Sequence, residues 1–267
     1  MDAIALSPAF YAAMALYGIA SAVYFGVFFD VKPWVARMAR WTLVLAMLAH
    51  ATDIALRDFE GLNPGTSIRE ALGALSWAIV VGYLLASLKY RLAVLGAFVS
   101  PIALIVLGAA RLSPAGGDIA GLTVLGRIHI SLASLGIAIF ALATAIGVVY
   151  LLEERNLKRK KFDGLLFRRG VALETLDTLL HRLIVVGFPI FTVSMMLGVV
   201  WAAQREVDWF DRPEYAISIV TWLSFGGLLV GRVTSGWRGR KAALLTIAGF
   251  AAAVVVLLIY LGRRAVS

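Results

Sequence analysis

Eight long apolar runs constrain this chain more than any other feature. Each has, or nearly has, the roughly 20 residues that a helix needs to cross the hydrocarbon core of a bilayer. The runs cover residues 9–29, 39–56, 71–88, 92–110, 128–152, 183–203, 215–231 and 242–261. Because unpaired backbone groups in lipid cost several kcal/mol each, and a barrel would show much shorter alternating segments, the runs must be helical. We therefore predict an all-α polytopic membrane helix bundle, with 1–267 as one membrane domain.

Composition excludes several classes of protein. Hydrophobic residues make up 61% of the chain, which no ordinary soluble domain tolerates on its surface. The formal net charge of +9 comes from basic residues confined to short turns, so it indicates membrane topology and not nucleic-acid binding. The chain has no cysteine, which excludes disulfides, thiolate metal ligands and a covalent haem attachment in this chain.

The basic residues also predict orientation. Alternate turns hold 17 and 8 of the Lys and Arg residues, and the richer set is expected on the cytoplasmic side. With eight spans, both termini then face outward. The longest inward connection, residues 153–177, carries Lys158, Arg159, Lys160 and Lys161 and is expected to lie along anionic lipid.

Three histidines are the candidate ligands. His50 lies roughly 10 Å below the outer end of its span, and His129 opens the fifth span near the same surface. His181 belongs to the opposite end. Asp53 and Arg57 share a helical face with His50, so Asp53 is expected either to orient the imidazole or to pair with Arg57. An interhelical hydrogen bond that only stabilises the bundle is the alternative role for His50.

Two neutral imidazoles from different helices can hold haem iron without any covalent bond to the porphyrin. His50 and His129 would do so if the second and fifth spans were neighbours, which the sequence does not decide. Cations suited to the haem propionates lie near the outer surface, namely Arg57, Arg127, Arg205 and Arg212. An aromatic platform for the porphyrin is offered by Trp201, Trp209 and Trp222. Solvated interfacial charges and an aromatic belt at the headgroups are the alternatives.

Three stretches of the chain resemble a known family. They are residues 128–132 leading to 151–158, residues 187–192 through 198–202, and residues 221–223 through 236–240. These stretches resemble the cytochrome c assembly proteins of the CcsA/CcmC type, which are haem-handling membrane proteins, and most closely the short HemX-like branch. The likeness covers most of the chain.

The resemblance implies that His129 is an external haem ligand. The family's tryptophan-rich signature, W-x-W-D-P-K-E, corresponds to residues 209–214, where the second tryptophan is missing and the acid is shifted by one. Gly231 stands where longer members carry a histidine, and the histidine they carry after the last span has no counterpart. What remains is the His50 and His129 pair.

We therefore expect a multi-pass protein of the bacterial inner membrane that binds haem b non-covalently and supports cytochrome c assembly or haem supply. It is expected not to be an enzyme, to contact membrane lipid, and to work with other cytochrome c maturation or haem-biosynthesis proteins. The alternative is a regulatory or scaffold protein that has lost haem and recruits a soluble partner through its basic inner loop. Small-solute transport is disfavoured, because no paired broken helices are evident.

Overall fold

The chain forms eight helices within the residues that the computed structural model describes, which are 7–26, 33–62, 66–90, 92–113, 123–159, 171–204 and 213–266. The helices are α1 (Pro8–Gly26), α2 (Pro33–Phe59), α3 (Ile68–Lys89), α4 (Ala93–Leu112), α5 (Val124–Lys158), α6 (Leu173–Ala203), α7 (Pro213–Thr234) and α8 (Arg240–Val266). Each predicted span falls on one helix, although residues 27–29 of the first lie outside the described residues. The all-α prediction is confirmed.

Seven of these helices are long and apolar enough to cross a membrane, and α2 is the one outside that set among the described residues. The apolar run of α2 begins at Arg40 and is interrupted by His50 and Asp53, so its mean hydropathy is lower than that of its neighbours. The difference from the expected eight spans therefore arises where the polar candidate residues lie.

Helices alternate in direction. We call the end where α1, α3, α5 and α7 begin the upper end, and the end where α2, α4, α6 and α8 begin the lower end. Helices α1 to α4 pack on one another, and α5 packs on α6 and α8 as well as on α3 and α4. The most extensive contact in the molecule is between α5 and α6. Helix α5 therefore joins the two halves of the bundle.

Small residues and aromatic rings allow the close packing of α5, α6 and α7. A Cβ at Gly187 would lie 2.8 Å from Ile139 and 3.0 Å from Phe140, so these backbones approach where a side chain is absent. Phe140 stacks on Phe225 of α7 with ring centroids 3.7 Å apart, and its edge meets Phe191 at 5.5 Å. Because lipid offers no hydrophobic driving force between helices, such van der Waals contact holds the second half together.

The lower end is fixed by a buried carboxylate. Asp177 of α6 accepts hydrogen bonds from the Arg232 guanidinium at 2.6 and 3.1 Å and from the backbone N–H of Gly239 at 2.8 Å. Gly236 and Gly239 have φ of +64° and +61°, in the left-handed region that favours glycine. The basic turn predicted from residue 236 to 241 is thus tied to α6.

The inner connection predicted at residues 153–177 is shorter than expected. Helix α5 continues to Lys158 and α6 begins at Leu173, so the helices extend into both ends of that segment. The α5 extension is supported by an ion pair one turn apart, with the Lys158 ammonium 2.7 Å from Glu154. Lys160 and Lys161, half of the basic cluster assigned to a partner site, lie outside the described residues.

Candidate functional site

His129 lies in the second turn of α5, after Thr123 caps the helix by accepting a hydrogen bond from Gly126. The imidazole is half-buried, and its Nδ1 lies 2.6 Å from the backbone carbonyl oxygen of Ser194 on α6. A carbonyl oxygen can only accept, so Nδ1 carries the proton and Nε2 keeps its lone pair. This is the arrangement in which proteins present histidine to a metal, with the second nitrogen fixed by a backbone oxygen.

Two further contacts hold the His129 ring against α6. The Ser194 hydroxyl donates to the backbone oxygen of His129 at 2.9 Å, and Ser194 is itself buried. One turn further along α6, Gly198 leaves room for the ring, because a Cβ there would lie only 2.6 Å from Cε1 of His129. The Trp201 ring lies beyond, with its centroid 6.1 Å from that of His129. The imidazole is therefore oriented by α6 before any ligand arrives.

His50 has a different setting. It is 1% exposed, and its Nδ1 lies 3.1 Å from the Tyr17 hydroxyl of α1. Its Nε2 is buried and has no hydrogen-bond partner among the described residues. That nitrogen points toward Gly73 of α3, where even a Cβ would stand 3.9 Å away. One polar atom of His50 is thus left without a partner beside a small opening.

An ion-pair network surrounds His50 at the upper end. Arg57 contacts Asp53 at 3.2 Å and Glu70 of α3 at 2.8 Å, and Arg111 of α4 lies 3.6 Å from Asp53. These four side chains are between 4% and 12% exposed. The network therefore ties α2 to α3 and α4 in a poorly solvated region, where charges are stable only when paired.

The opening beside His50 is small. It is lined by His50, Arg57, Glu70, Gly73 and Arg111 among others, and its volume is about 20 Å³. A water molecule needs about 10–15 Å³ of such space, whereas pockets for drug-sized ligands reach hundreds of Å³. A porphyrin does not fit beside His50 unless α2 moves away from α3.

The structure does not bring His50 and His129 together. Helix α2 contacts α1, α3 and α4 but makes no contact with α5 among the described residues, whereas α3 contacts both α2 and α5. The two histidines therefore lie on opposite sides of α3. The condition on which a shared site depended, that the second and fifth spans are neighbours, is not met in this arrangement.

The other predicted site residues divide into three groups. Trp201 adjoins His129, and Arg127 lies exposed two residues before it. Arg57 is buried in ion pairs, and Trp222 packs on α6, stacking on Phe188 at 5.6 Å and donating to the Thr192 hydroxyl at 2.9 Å. The remaining three lie outside the described residues, namely Arg205, Trp209 and Arg212.

Sequence reasoning missed the residues that position the histidines. Ser194 and Gly198 are four residues apart and therefore share a face of α6, a pattern of small residues that signals a close helix contact. That pattern indicates a contact but not its partner. Tyr17, Glu70 and Arg111 were also missed, because their roles depend on helices that meet only in the folded bundle.

Comparisons with known proteins identify the family. The family described as "Cytochrome C assembly protein" matches residues 7–267 of this chain. The chain belongs to the cytochrome c assembly protein family.

Individual members of the cytochrome c assembly family resemble the chain over most of its length. The "Cytochrome c biogenesis protein CcsA" of Guillardia theta is 29% identical, covering 82% of this chain and 79% of that protein. The protein of the same name from Crocosphaera subtropica is 27% identical over 89% of this chain and 88% of its own length. The one from Gloeobacter violaceus reaches 42% identity over 37% of this chain and 29% of its own length. No solved structure matches the chain.

Proposed function

We propose that this chain is a multi-pass membrane protein that handles haem for cytochrome c biogenesis, with His129 as an axial ligand of non-covalently bound haem b. The observation that carries the proposal is the oriented His129 imidazole, whose Nδ1 is fixed by the Ser194 carbonyl and whose Nε2 is left to bind iron. The relatives' names supply the process, since they are cytochrome c biogenesis proteins.

The membrane arrangement proposed is eight spans with both termini outside, in the bacterial inner membrane. The upper end then faces outward, because the basic residues of the turns are concentrated at the lower end. The α2 helix is proposed to cross the membrane despite its polar residues, since His50, Asp53 and Arg57 are buried against α1, α3 and α4 and do not face lipid. His129 consequently lies near the outer surface.

The His129 site fits haem in three respects. A ring nitrogen is available, an aromatic side chain adjoins the imidazole, and Arg127 is exposed next to it for a propionate. The segment after α6 is proposed to add Arg205, Trp209 and Arg212, because α6 ends at the same level of the bundle at which α5 begins. Arg57 is not available for a propionate in this arrangement, since Asp53 and Glu70 already occupy it.

His50 fits haem less well. The opening of about 20 Å³ beside it is too small for a porphyrin, and α3 separates it from His129. The bis-histidine pair expected from the sequence therefore requires α2 to move away from α3. We propose His129 as the ligand that the fold presents and His50 as a partner only after such a movement.

Haem, when bound, supplies the iron and its redox chemistry, and the chain supplies an oriented imidazole and a site at the membrane surface. A chain without cysteine cannot form a thioether to haem by itself, so ligation of haem to an apocytochrome is assigned to partner maturation proteins. The protein is accordingly proposed as an accessory subunit and not as an enzyme.

The test is the visible spectrum of the detergent-purified protein, produced in cells with an intact haem supply. We expect a Soret band that His129→Ala removes. The control is His181→Ala, which changes the same residue type at the lower end and should leave the band. A wild-type protein without a Soret band, or a band that survives His129→Ala, would contradict the proposal.

A second variant decides the role of His50. If His50 binds the same iron after α2 moves, His50→Ala should convert a low-spin spectrum into a five-coordinate one, and added imidazole should restore it. If His50 is not a ligand, its removal should leave the band position unchanged. Either result distinguishes a shared iron from a single-histidine site, provided that circular dichroism shows the variant to be folded.

A further inference from the structure

A groove opens between α2 and α3 at the lower half of the bundle. Trp77 of α3 closes its upper limit by donating its indole N–H to the backbone oxygen of Met47 at 3.2 Å. Below that contact the helices diverge, since α2 packs far more extensively on α1 than on α3. The groove has a volume of about 170 Å³. For comparison, an apolar cavity of about 150 Å³ accommodates benzene.

The lining of the groove is apolar along its length and basic at its open end. Residues one helical turn apart on each helix form the two walls, with Val44 and Met47 from α2 and Val81, Leu84, Leu85 and Leu88 from α3. Arg40 completes the lining at the lower end. Leu85 and Leu88 are 61% and 71% exposed, so the groove is open to the lipid phase.

Further cations surround the open end. Arg37 lies exposed one turn before Arg40, and Lys89 is exposed at the end of α3 beside Leu88. No Asp or Glu occurs in the sequence from 33 to 52 or from 71 to 90. Trp34 and Trp41 are 50% and 66% exposed on either side of Arg40, as aromatic residues are at the headgroup level of a bilayer. The basic end of the groove thus lies at the depth of lipid phosphates.

We propose that this groove binds an anionic phospholipid of the cytoplasmic leaflet, with an acyl chain between α2 and α3 and the phosphate beside Arg40. The apolar walls match a hydrocarbon chain, and the cations match an anionic headgroup, for which each basic residue near the surface contributes about 1 kcal/mol. The occupant also fills the gap where α2 lacks packing against α3. The inference does not rest on haem binding, because Arg40 and His50 lie about 15 Å apart along α2.

The test is a lipid titration of the purified full-length protein, followed by native mass spectrometry. The probes are phosphatidylglycerol and phosphatidylcholine with the same acyl chains. We expect the wild type to bind phosphatidylglycerol at least about fivefold more tightly, which is the preference that about 1 kcal/mol provides. Arg40→Gln should remove about that factor.

Two further variants make the result specific. Arg155→Gln removes the same charge from an exposed position near the lower end of α5, outside the groove, and should keep the preference. Val44→Phe should weaken binding of both lipids by filling the groove, and Leu85→Trp does so from the other wall if the first variant fails to fold. Equal affinity of the wild type for the two lipids would overturn the proposal, as would equal losses in Arg40→Gln and Arg155→Gln.

Discussion

His50 and His129 lie near the same end of the bundle, but their surroundings differ. His50 is enclosed by α1, α2, α3 and α4, within a network of ion pairs. His129 is half-buried, and one face of its ring rests on Gly198 of α6. The first histidine is part of a closed polar core, whereas the second is held in place by one helix and remains accessible. Burial in a membrane bundle therefore does not by itself identify a ligand, and the direction of the second ring nitrogen is more informative.

The largest expected effect tests the closed core. Arg57→Ala leaves Asp53 and Glu70 without their buried partner, so we expect a loss of about 3–5 kcal/mol in the free energy of unfolding. The matched control is Arg127→Ala, because that arginine is exposed beside His129 and its loss should cost within about 0.5 kcal/mol. Unfolding in mild detergent measures both. Equal losses in the two variants would remove the distinction between the two regions.

The next effect tests the open site. Gly198→Ala places a Cβ 2.6 Å from Cε1 of His129, so the ring must turn away from α6 and lose its hydrogen bond to Ser194. Loss of such an orienting bond typically costs about 10–100-fold in metal affinity, and we expect haem binding to fall by that factor. The readout is the Soret absorbance per protein during haem titration.

The control for that variant is Gly227→Ala on α7, where a Cβ would meet nothing within 4 Å. It should leave haem binding unchanged. If both alanine variants bind haem as the wild type does, the contact between α6 and His129 does not position the ligand.

The smallest expected effect comes from Ser194→Ala. This change removes the hydroxyl that donates to the backbone of His129 but keeps the Ser194 carbonyl that fixes Nδ1. We expect a loss of about 0.5–1.5 kcal/mol in stability and little change in the Soret band. Ser134→Ala is the comparison, since that hydroxyl bonds only to Ile130 within its own helix. A large spectral change in Ser194→Ala would show that the hydroxyl itself contributes to the iron site.

Several local features were predictable from the residues alone. Asp53 was expected to orient the His50 imidazole or to pair with Arg57, and the pairing is confirmed at 3.2 Å, because residues four apart share a helical face. Trp201 was expected near the haem candidate, and it adjoins His129. Trp222 was expected in the same platform but packs on Phe188 and Thr192, since its helix presents that face to α6.

The sequence by itself determined that this chain is a bundle of membrane helices, because long apolar runs in lipid can satisfy their backbone groups only as helices. It also determined which ionisable residues lie within those runs. Only the tertiary structure decided which of them meet. Helix order and rotation depend on contacts between distant segments, such as Gly198 with His129 and Glu70 with Arg57. For that reason two histidines near one surface became one accessible imidazole and one enclosed imidazole, with α3 between them.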